Sequence, residues 1–531
     1  MRPYRLTLFC FLIFLNYCSA EKYWVSFKDK SGVTFNPSDY FSARTLIQRT
    51  EQSIPLSDST DFPVNEHYLS VVSSYCDSIS YSSRWLNGVA VFCNEQVKEI
   101  ISQLPFVLSL KKMDCHSLLT AKKNEKFELD KFSLNLLKYQ TSRFGSQKFV
   151  EKKLDGTGIR IAIFDAGFPG VDKNEVFQKL RVEKRIISTY DFVAKNENVF
   201  AHHWHGAATL SCIVGVVNGV NIGMATGAEV LLARTEKVSS ETFSEEENWL
   251  AAAEWADKNG ANIISSSLGY SDYKYFNSDM NGQVSLISKA ANIAARKGIL
   301  VVNAAGNDGD NRWHFIDTPG DADSALTVGG TDPKTDCHIG FSSYGPTVNG
   351  KLKPNVCAPA YVVAADASGL SNVYGTSFST PLVAGFAACA WQSNRSMTNM
   401  QLFHELEKSA HLYPYFDFAH GYGIPQANYF TDSLKKEIEP TFDFVLVNQE
   451  LKVVLREKFT HFSDEQLLGY EAQRNFFQKI EKKDGEIKRY TVLIAQQKEM
   501  LDINLDELSP GDKITIHFEG FTSSYIANEN K

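Results

Sequence analysis

The segment from Gly375 to Pro381 carries the residue types of a nucleophilic site. It reads Gly-Thr-Ser-Phe-Ser-Thr-Pro and leads into a run of small apolar residues, which predicts a helix beginning here. Proline is tolerated in a first helical turn because its missing N–H would be unpaired there. Ser377 would therefore stand where unpaired backbone N–H groups and the helix dipole favour negative charge. We interpret Ser377 as a candidate nucleophile; a plain N-capping cluster of Ser and Thr is the alternative.

Three polar residues elsewhere in the chain could serve such a nucleophile. Asp165 ends an apolar run, His205 precedes a stretch of small residues, and Asn307 follows a second apolar run. Singly, each has an ordinary interpretation, as a capping aspartate, a solvated histidine or an asparagine turn. Together with Ser377 they form a set of carboxylate, imidazole, amide and hydroxyl, which a serine nucleophile and its oxyanion intermediate require.

An α/β pattern is expected to position these residues. Between the predicted strands lie predicted helices, and the strands are apolar on both faces. The predicted strands are Ile159–Phe164, Glu229–Ala233, Ala261–Ser265, Ile299–Ala304 and Ala325–Val328, and the predicted helices are Gly206–Val217, Glu245–Lys258 and Val284–Lys297. This alternation predicts a doubly wound, mostly parallel sheet covered by helices on both faces. Ligands of such sheets bind beyond the carboxyl ends of the strands, where the polar residues fall.

Two smaller regions flank the α/β region. Between Lys22 and Lys138 the pattern predicts a small α+β unit followed by a lysine-rich linker. After Phe430 five strand patterns and a hairpin turn at Asp484-Gly485 predict a β-sandwich. The chain is thus predicted to comprise a signal peptide over residues 1–20, the α+β unit with its linker over 21–138, the α/β domain over 139–435 and the β-sandwich over 436–531.

The N-terminus predicts a secretory signal peptide. Arg2 and Arg5 precede the apolar run Leu6–Leu15, and the residues from Cys18 to Ala20 suit cleavage. This run is too short to span a bilayer, and no later segment is apolar enough. We therefore expect a protein that is secreted or held in the cell envelope, in the periplasm or on the outer surface, without a transmembrane segment after signal removal. A lipid anchor at Cys18 is the alternative.

Charge and cysteine usage exclude several other classes of function. The net charge is −8, so no global basic face is expected and no nucleic acid partner is predicted. The nine cysteines show no paired metal-ligand spacing, which argues against zinc. The histidines His202, His203 and His205 invite a zinc interpretation, but no carboxylate or cysteine completes a familiar ligand set. We therefore predict no metal site here.

Four local sequences resemble those of one enzyme family. They are Ile163–Gly167, His205-Gly206, Ala305–Asn307 and Gly375–Pro381, and their chain order is Asp, His, Asn, Ser. In these motifs and in the order Asp–His–Ser, the chain resembles the subtilisin-like serine peptidases, or subtilases, over about residues 148 to 429. The N-terminal unit resembles the inhibitory propeptides of secreted bacterial subtilases, and the β-rich tail resembles their C-terminal extensions. The resemblance thus implies a subtilisin-like fold and a precursor inhibited by its own propeptide.

The resemblance also implies roles for particular residues. Ser377 would attack a peptide carbonyl, His205 would carry its proton, Asp165 would orient the imidazole and Asn307 would donate to the oxyanion. Two segments would bind a protein or peptide substrate, namely Ser267, Leu268 and Gly269 as a pairing strand and Ala304, Ala305 and Gly306 as the wall of the first specificity pocket. The floor of that pocket is unassigned, with Trp313, His314 and Phe315 as candidates. No cofactor is required; calcium is a habit of the family, with Asp308/Asp310 or Asp321/Asp323 as possible ligands.

The sequence departs from the family pattern at two places near the site. Ala166 stands where the family usually has Ser or Thr, and Ala207 where Thr is usual. Neither removes a reacting atom, but both could remove supporting hydrogen bonds. A catalytically inactive subtilase that acts as a cell-envelope binding protein is therefore an alternative, and a serine esterase is another. The lysine-rich linker further predicts self-cleavage between about Lys111 and Lys148.

Overall fold

The computed structural model describes most of the chain. The described residues are 20–113, 122–123, 131–237, 244–271, 274–433, 437–447, 450–461, 474–495 and 501–527. The predicted signal peptide lies outside them, apart from its last residue.

Twenty-three strands are found among the described residues. They are β1 Glu21–Phe27, β2 Ser78–Ser83, β3 Gly88–Cys93, β4 Val107–Lys112, β5 Lys122–Lys123, β6 Arg160–Asp165, β7 Ile186–Asp191, β8 Val216–Val217, β9 Val220–Asn221, β10 Glu229–Arg234, β11 Ile263–Ser266, β12 Leu300–Ala304, β13 Ala325–Thr331, β14 Val356–Pro359, β15 Tyr361–Asp366, β16 Gly369–Tyr374, β17 Phe442–Val447, β18 Glu450–Leu455, β19 Asn475–Glu481, β20 Ile487–Ile494, β21 Leu501–Ile503, β22 Lys513–Phe518 and β23 Phe521–Ile526.

Thirteen α-helices accompany them in the same described ranges. They are α1 Pro37–Tyr40, α2 Ala43–Glu51, α3 Glu66–Ser73, α4 Glu95–Ser102, α5 Lys131–Ser142, α6 Gln147–Glu151, α7 Gln178–Val182, α8 His205–Val214, α9 Ser244–Lys258, α10 Leu286–Arg296, α11 Thr376–Ser393, α12 Asn399–Ser409 and α13 Asn428–Thr431.

These elements form two compact units. The first consists of Met1–Phe35 and Ser59–Asp114, and the second of Asn36–Asp58 and Cys115–Lys531. In the first unit, a four-stranded antiparallel sheet of order β2-β3-β1-β4 buries the alternate residues Tyr23, Val25 and Phe27 with Ile101 of α4. The predicted α+β architecture of this region is confirmed.

The centre of the second unit is a seven-stranded parallel sheet of order β14-β13-β12-β11-β6-β10-β7. Every residue of β11, β12 and β13 is buried, which explains their continuous apolar patterns. Helices α8 and α11 pack against each other, and helices α9 and α10 do the same. The predicted doubly wound, mostly parallel sheet is confirmed, and the structure adds β7 and β14 at its two edges.

The C-terminal part of the second unit is a β-sandwich. Its two sheets have the orders β17-β18-β21 and β20-β19-β22-β23, and all neighbouring strands are antiparallel. Phe442 and Val453 of one sheet share an apolar core with Ile514 and Ile516 of the other. The predicted sandwich is therefore confirmed, with β21 and β23 as strands that the sequence pattern did not reveal.

The segment Asn36–Asp58 comes from the N-terminal part of the chain but belongs to the second unit. Arg49 of α2 is 1% exposed and donates to the carboxylate of Asp257, in α9, over 2.7 Å. Gln48 donates to the Ala261 carbonyl, and Thr45 donates to the carbonyl of Asp257. These buried polar contacts join the segment to the C-terminal end of α9 and the loop after it.

We expect Arg49→Met to lower the free energy of unfolding by about 3 kcal/mol, since it leaves the buried Asp257 carboxylate without its cation. Urea unfolding of the full-length chain measures this, with Ser377→Ala in all samples so that the chain stays intact. Glu51→Gln removes a charge from an exposed position of the same helix and serves as the matched control. Equal unfolding midpoints for the two variants would contradict the assigned role of Arg49.

Two histidines, the half-buried His411 and the buried His517, lie where the sandwich meets the α/β domain. The rings of His411, after α12, and of His517, in β22, lie 6.2 and 6.4 Å from the ring of Phe477. Burial lowers the pKa of His411 to about 4 and that of His517 to about 3. An unfolded chain protonates histidine near a pKa of ~6.5. Below that pH the unfolded chain binds protons that the folded chain does not, so stability falls as the pH falls.

Acidification from pH 6.5 to 5 should therefore lower the free energy of unfolding by about 1.5 kcal/mol for each of these two histidines. His517→Gln should make this fall smaller, whereas His404→Gln, at an exposed position of α12, should leave it unchanged. Denaturant titrations of the Ser377→Ala chain at both pH values test this expectation. An identical pH dependence in the two histidine variants would show that His517 is not buried as a neutral ring.

Candidate active site

Three neighbouring strands end at the same level of the central sheet. Ser266 of β11 is aligned with Phe164 of β6 on one side and with Asn303 of β12 on the other. Because parallel strands in this register end together, the residues that follow them lie along one carboxyl edge. The residues at this edge are Asp165, Ser267 and Ala304. The sequence pattern had predicted all three as site residues.

Asp165 and His205 form a buried pair at this edge. His205 Nδ1 lies 2.7 Å from Asp165 Oδ1, and both side chains are fully buried. His205 is the first residue of α8, and the next residue, Gly206, lets the helix approach the strand end closely. A Cβ atom at Gly206 would lie only 2.9 Å from the Cβ of Asp165. The motif His205-Gly206 is thus explained by packing as well as by chemistry.

The Asp165 carboxylate has two further hydrogen bonds. The backbone N–H of Ala166 donates to Oδ1 over 2.8 Å, and the Thr209 hydroxyl donates to Oδ2 over 3.0 Å. Both carboxylate oxygens are therefore bound although Ala166 and Ala207 have no hydroxyl groups. Sequence reasoning missed Thr209. Its signal was a threonine four residues after His205, which puts both side chains on one face of α8.

Ser377 is the second residue of α11 and is 4% exposed. The ring of the following residue, Phe378, lies 5.4 Å from the His205 ring, so the first turn of α11 lies close to the histidine. The Ser377 hydroxyl lies 3.4 Å from the Ser267 carbonyl, and the Ser267 hydroxyl donates to the Ser377 carbonyl. Within the described residues, the buried His205 Nε2 atom has no hydrogen-bond partner. Catalytic hydrogen bonds are often long without substrate and shorten when it binds.

Asn307 lies directly beside the start of α11. Its amide oxygen accepts from the Thr376 backbone N–H over 2.8 Å and from the Thr376 hydroxyl over 3.0 Å. The Thr376 hydroxyl also lies 3.1 Å from the Gly306 carbonyl. These contacts fix the orientation of the Asn307 side-chain amide. Its oxygen faces Thr376, so its NH2 group, which carries the donor hydrogens, points away from Thr376.

The two segments predicted to bind substrate are neighbours in the structure. Ser267, Leu268 and Gly269 continue β11, and Ala304, Ala305 and Gly306 end or continue β12. The buried Asn303 amide donates to the carbonyls of Leu268 and Ala304 and so holds the segments together. The residue placed between them is Asp317, two positions beyond the last of the predicted floor residues Trp313, His314 and Phe315.

Three of the four carboxylates considered for calcium have partners within the protein. The buried Asp321 side chain accepts from the Ser288 hydroxyl and from the Gly282 backbone N–H. Asp323 lies 3.4 Å from the Lys351 ammonium, and Asp308 accepts from Asn311. Among the residues that the structure describes, no group of three or more His, Cys, Asp or Glu side chains is arranged to hold a metal ion.

The fold and the site together define a doubly wound α/β protein with an Asp–His pair and a serine at one sheet edge. A model of the subtilase family matches residues 156–423, and a model of the peptidase S8 propeptide domain of Bacteroidota matches residues 22–128. The first match covers half of the chain, so the chain belongs to the subtilase family. The family predicted from the motifs is thereby confirmed.

Individual relatives show the same similarity. The chain is 29% identical over 257 residues to alkaline elastase YaB of Bacillus sp. (strain YaB). This alignment covers 48% of this chain and 60% of that protein. It is 28% identical over 261 residues to subtilisin Savinase of Lederbergia lenta. This alignment covers 48% of this chain and 85% of subtilisin Savinase. The chain thus spans about 60% of the first curated relative. Among solved structures it resembles MycP1 from Mycobacterium smegmatis, with 20% identity, a TM-score of 0.47 and coverage of 60% of this chain and 91% of that one.

We expect Thr209→Val to slow the reaction of Ser377 with a fluorophosphonate probe by about 5- to 10-fold, the effect of one lost hydrogen bond. The reason is that Asp165 Oδ2 would lose its hydroxyl donor and hold the His205 ring less firmly. The second-order labelling rate measures this effect, and Thr209→Ser, which keeps the hydroxyl, should restore most of the rate. A normal rate in the valine variant would exclude Thr209 as a positioning residue.

Proposed function

We propose that this chain is the precursor of a secreted serine endopeptidase. The observation that carries the proposal is the buried Asp165–His205 hydrogen bond of 2.7 Å, close to the first turn of α11, which holds Ser377 and Phe378. An inactive binding protein would not need a buried imidazole paired to a carboxylate. The full set of reacting groups therefore favours catalysis over the binding alternative, even with alanine at positions 166 and 207.

In the proposed reaction, the Ser377 hydroxyl attacks the carbonyl carbon of a peptide bond. His205 Nε2 takes the hydroxyl proton and then gives it to the leaving amine, which yields an acyl-enzyme. Water, deprotonated by the same nitrogen, hydrolyses this ester and regenerates the serine. Asp165 holds the imidazole in the tautomer that has Nδ1 protonated and stabilises the imidazolium.

The negative oxygen of the tetrahedral intermediate would be bound by two donors. One is the Asn307 side-chain amide, whose orientation is set by Thr376, and the other is the backbone N–H of Ser377. Both stand at the N-terminus of α11, an 18-residue helix whose dipole also favours negative charge there. Loss of such an amide donor costs about 2.7–4 kcal/mol of barrier.

Protein or peptide substrates would lie along Ser267, Leu268 and Gly269. Backbone pairing with this segment gives affinity with little dependence on substrate side chains. The neighbouring residues Ala304, Ala305 and Gly306 would form the wall of the pocket for the residue on the acyl side of the cleaved bond.

The N-terminal unit would act as an inhibitory propeptide that the enzyme removes itself. The linker cut was predicted between about Lys111 and Lys148, and the packing of α5 supports a position before Lys131. Gln140 of α5 is fully buried and donates to the Ile222 carbonyl over 2.7 Å, while it accepts from the Val363 N–H over 2.9 Å. A helix with such contacts belongs to the mature enzyme.

Export rests on the signal pattern of the N-terminus, where Arg2 and Arg5 precede the apolar run Leu6–Leu15. No helix among the described residues is long and apolar enough to cross a membrane. We propose release from the cytoplasm to the cell envelope or the medium.

The proposal is tested with purified wild-type protein, Ser377→Ala and the control Ser379→Ala. Ser379 lies in the same helical turn, and its hydroxyl donates to the carbonyls of Ala358 and Pro359 instead. We expect fluorophosphonate labelling, casein cleavage and removal of the N-terminal unit in the wild type and in the control, and none of the three in Ser377→Ala. Mass spectrometry of the purified chains shows whether the linker is cut.

The other outcomes point to different functions. Labelling without cleavage of casein, together with turnover of simple esters, would support an esterase. A folded wild-type protein that takes no label would support the inactive binding protein.

A further inference from the structure

The C-terminal sandwich presents the buried side chain of Phe477, in β19, to the α/β domain. Its ring lies 5.2 Å from the ring of His420 and 6.2 Å from the ring of Tyr415, both in the loop after α12. The neighbouring residue Phe476 instead stacks on Phe518 in the sandwich core, at 4.4 Å. Because successive side chains of a strand point to opposite faces, Phe476 serves the sandwich and Phe477 serves the contact with the α/β domain.

His420 is held in one orientation by hydrogen bonds at both ring nitrogens. Its Nε2 atom accepts from the backbone N–H of His338 over 2.8 Å. A ring nitrogen that accepts carries no proton, so Nδ1 carries it and donates to the Asp417 carboxylate over 3.0 Å. The ring that Phe477 contacts therefore also positions the backbone at His338.

The ring of Tyr344 lies between the rings of two histidines. It lies 4.2 Å from the His338 ring at an interplanar angle of 33°, and 4.5 Å from the His314 ring at 22°. Rings at these separations are in direct contact, and a tilted or offset arrangement is the one that aromatic pairs favour. We call His338, Tyr344 and His314 the ring stack. It extends from the neighbourhood of the sandwich to the candidate active site.

The far end of the ring stack closes the loop that follows Asn307. The backbone N–H of His314 donates to the Asp308 carbonyl over 3.1 Å, and its ring Nδ1 atom donates to the Gly309 carbonyl over 2.7 Å. Ser343, one residue before the stacked tyrosine, accepts at its hydroxyl from the backbone N–H of Asp308 over 3.1 Å. The residues directly after Asn307 are thus held by the ring stack and its neighbour.

We propose that Phe477 and Tyr344 are positioning residues for the Asn307 amide, so that the C-terminal sandwich, through the ring stack, helps to aim the oxyanion donor. This inference rests on the proposed endopeptidase function and gives the C-terminal sandwich a part in it. A donor is effective only where it points at the position that the oxyanion will occupy. A displacement of about 1 Å caused far from the chemistry can cost about 100-fold in rate.

We expect Phe477→Leu to lower kcat by about 10-fold while KM changes by less than about 2-fold, because an oxyanion donor acts in the transition state. Leucine keeps much of the buried volume but has no ring to contact His420. Tyr344→Leu should lower kcat in the same way. Tyr344→Phe, which keeps the ring, should retain at least about half of the wild-type kcat, since the stack depends on the ring.

The substrate is a fluorogenic peptide with the casein sequence that the wild type cleaves fastest. Active sites are counted by complete labelling with the fluorophosphonate probe, so that kcat refers only to processed and folded enzyme. Thermal melting of the labelled chains shows that each variant is folded at the assay temperature.

Phe476→Leu is the matched control. It removes a ring of the same strand from the sandwich core, where Phe476 stacks on Phe518. We expect it to lower the melting temperature and to leave kcat unchanged. If Phe477→Leu does not fold, the comparison of Tyr344→Leu with Tyr344→Phe decides the question.

Three results would overturn the positioning role while the endopeptidase proposal stands. They are an unchanged kcat in Phe477→Leu and Tyr344→Leu, an effect on KM alone, or an equal fall of kcat in the control Phe476→Leu. A folded wild type with no probe labelling and no hydrolysis of any peptide would overturn both proposals.

Discussion

The site depends on the register of three parallel strands. Because β6, β11 and β12 are aligned through Phe164, Ser266 and Asn303, they end together, and the polar residues that follow them meet at one edge. A shift of one strand by one residue would move its side chains to the opposite face of the sheet. The apolar pattern of these strands opposes such a shift only weakly. Both faces of the sheet are buried, so apolar side chains are accommodated on either face. The loops and the helices α8 and α11 must therefore contribute to the register.

The site also depends on hydrogen-bond donors for the buried carboxylate of the Asp165–His205 pair. A carboxylate without access to water needs a donor for each oxygen, and the structure provides the Ala166 N–H, the His205 ring and the Thr209 hydroxyl. These three bonds leave the carboxylate one orientation, and the carboxylate in turn holds the imidazole. The Thr209 hydroxyl comes from the next turn of α8. Alanine at positions 166 and 207 is thus compatible with an ordered site.

The segment Asn36–Asp58 links the N-terminal region of the sequence to the stability of the second unit. It falls within the residues that match the propeptide model, yet Arg49, Gln48 and Thr45 make buried contacts with α9 and the loop after it. Removal of the segment would expose polar groups and leave Asp257 without its cation. Part of the sequence that matches the propeptide model is therefore a structural element of the second unit.

Local pattern was enough to predict much of this protein. Continuous apolar runs identified β6, β10, β11, β12 and β13 because buried parallel strands must be apolar on both faces. The motifs around Asp165, His205, Asn307 and Ser377 predicted the candidate site, because each motif lies at a strand end or a helix start and such ends depend on neighbouring residues. The edge strands β7 and β14 were missed, since β7 is partly exposed and β14 is four residues long and ends in Pro359.

Contacts between distant residues were decided only by the tertiary structure. Thr209 reaches Asp165 across 44 positions of sequence, and Arg49 reaches Asp257 across 208. Asp317 looks like an ordinary loop aspartate in the sequence; backbone hydrogen bonds on both sides hold it between Gly269 and Gly306. Sequence pattern reports the periodicity of one element at a time, whereas the partner of a side chain depends on how separate elements pack. The sequence therefore determined the elements and the candidate site residues, and the packing decided what surrounds them.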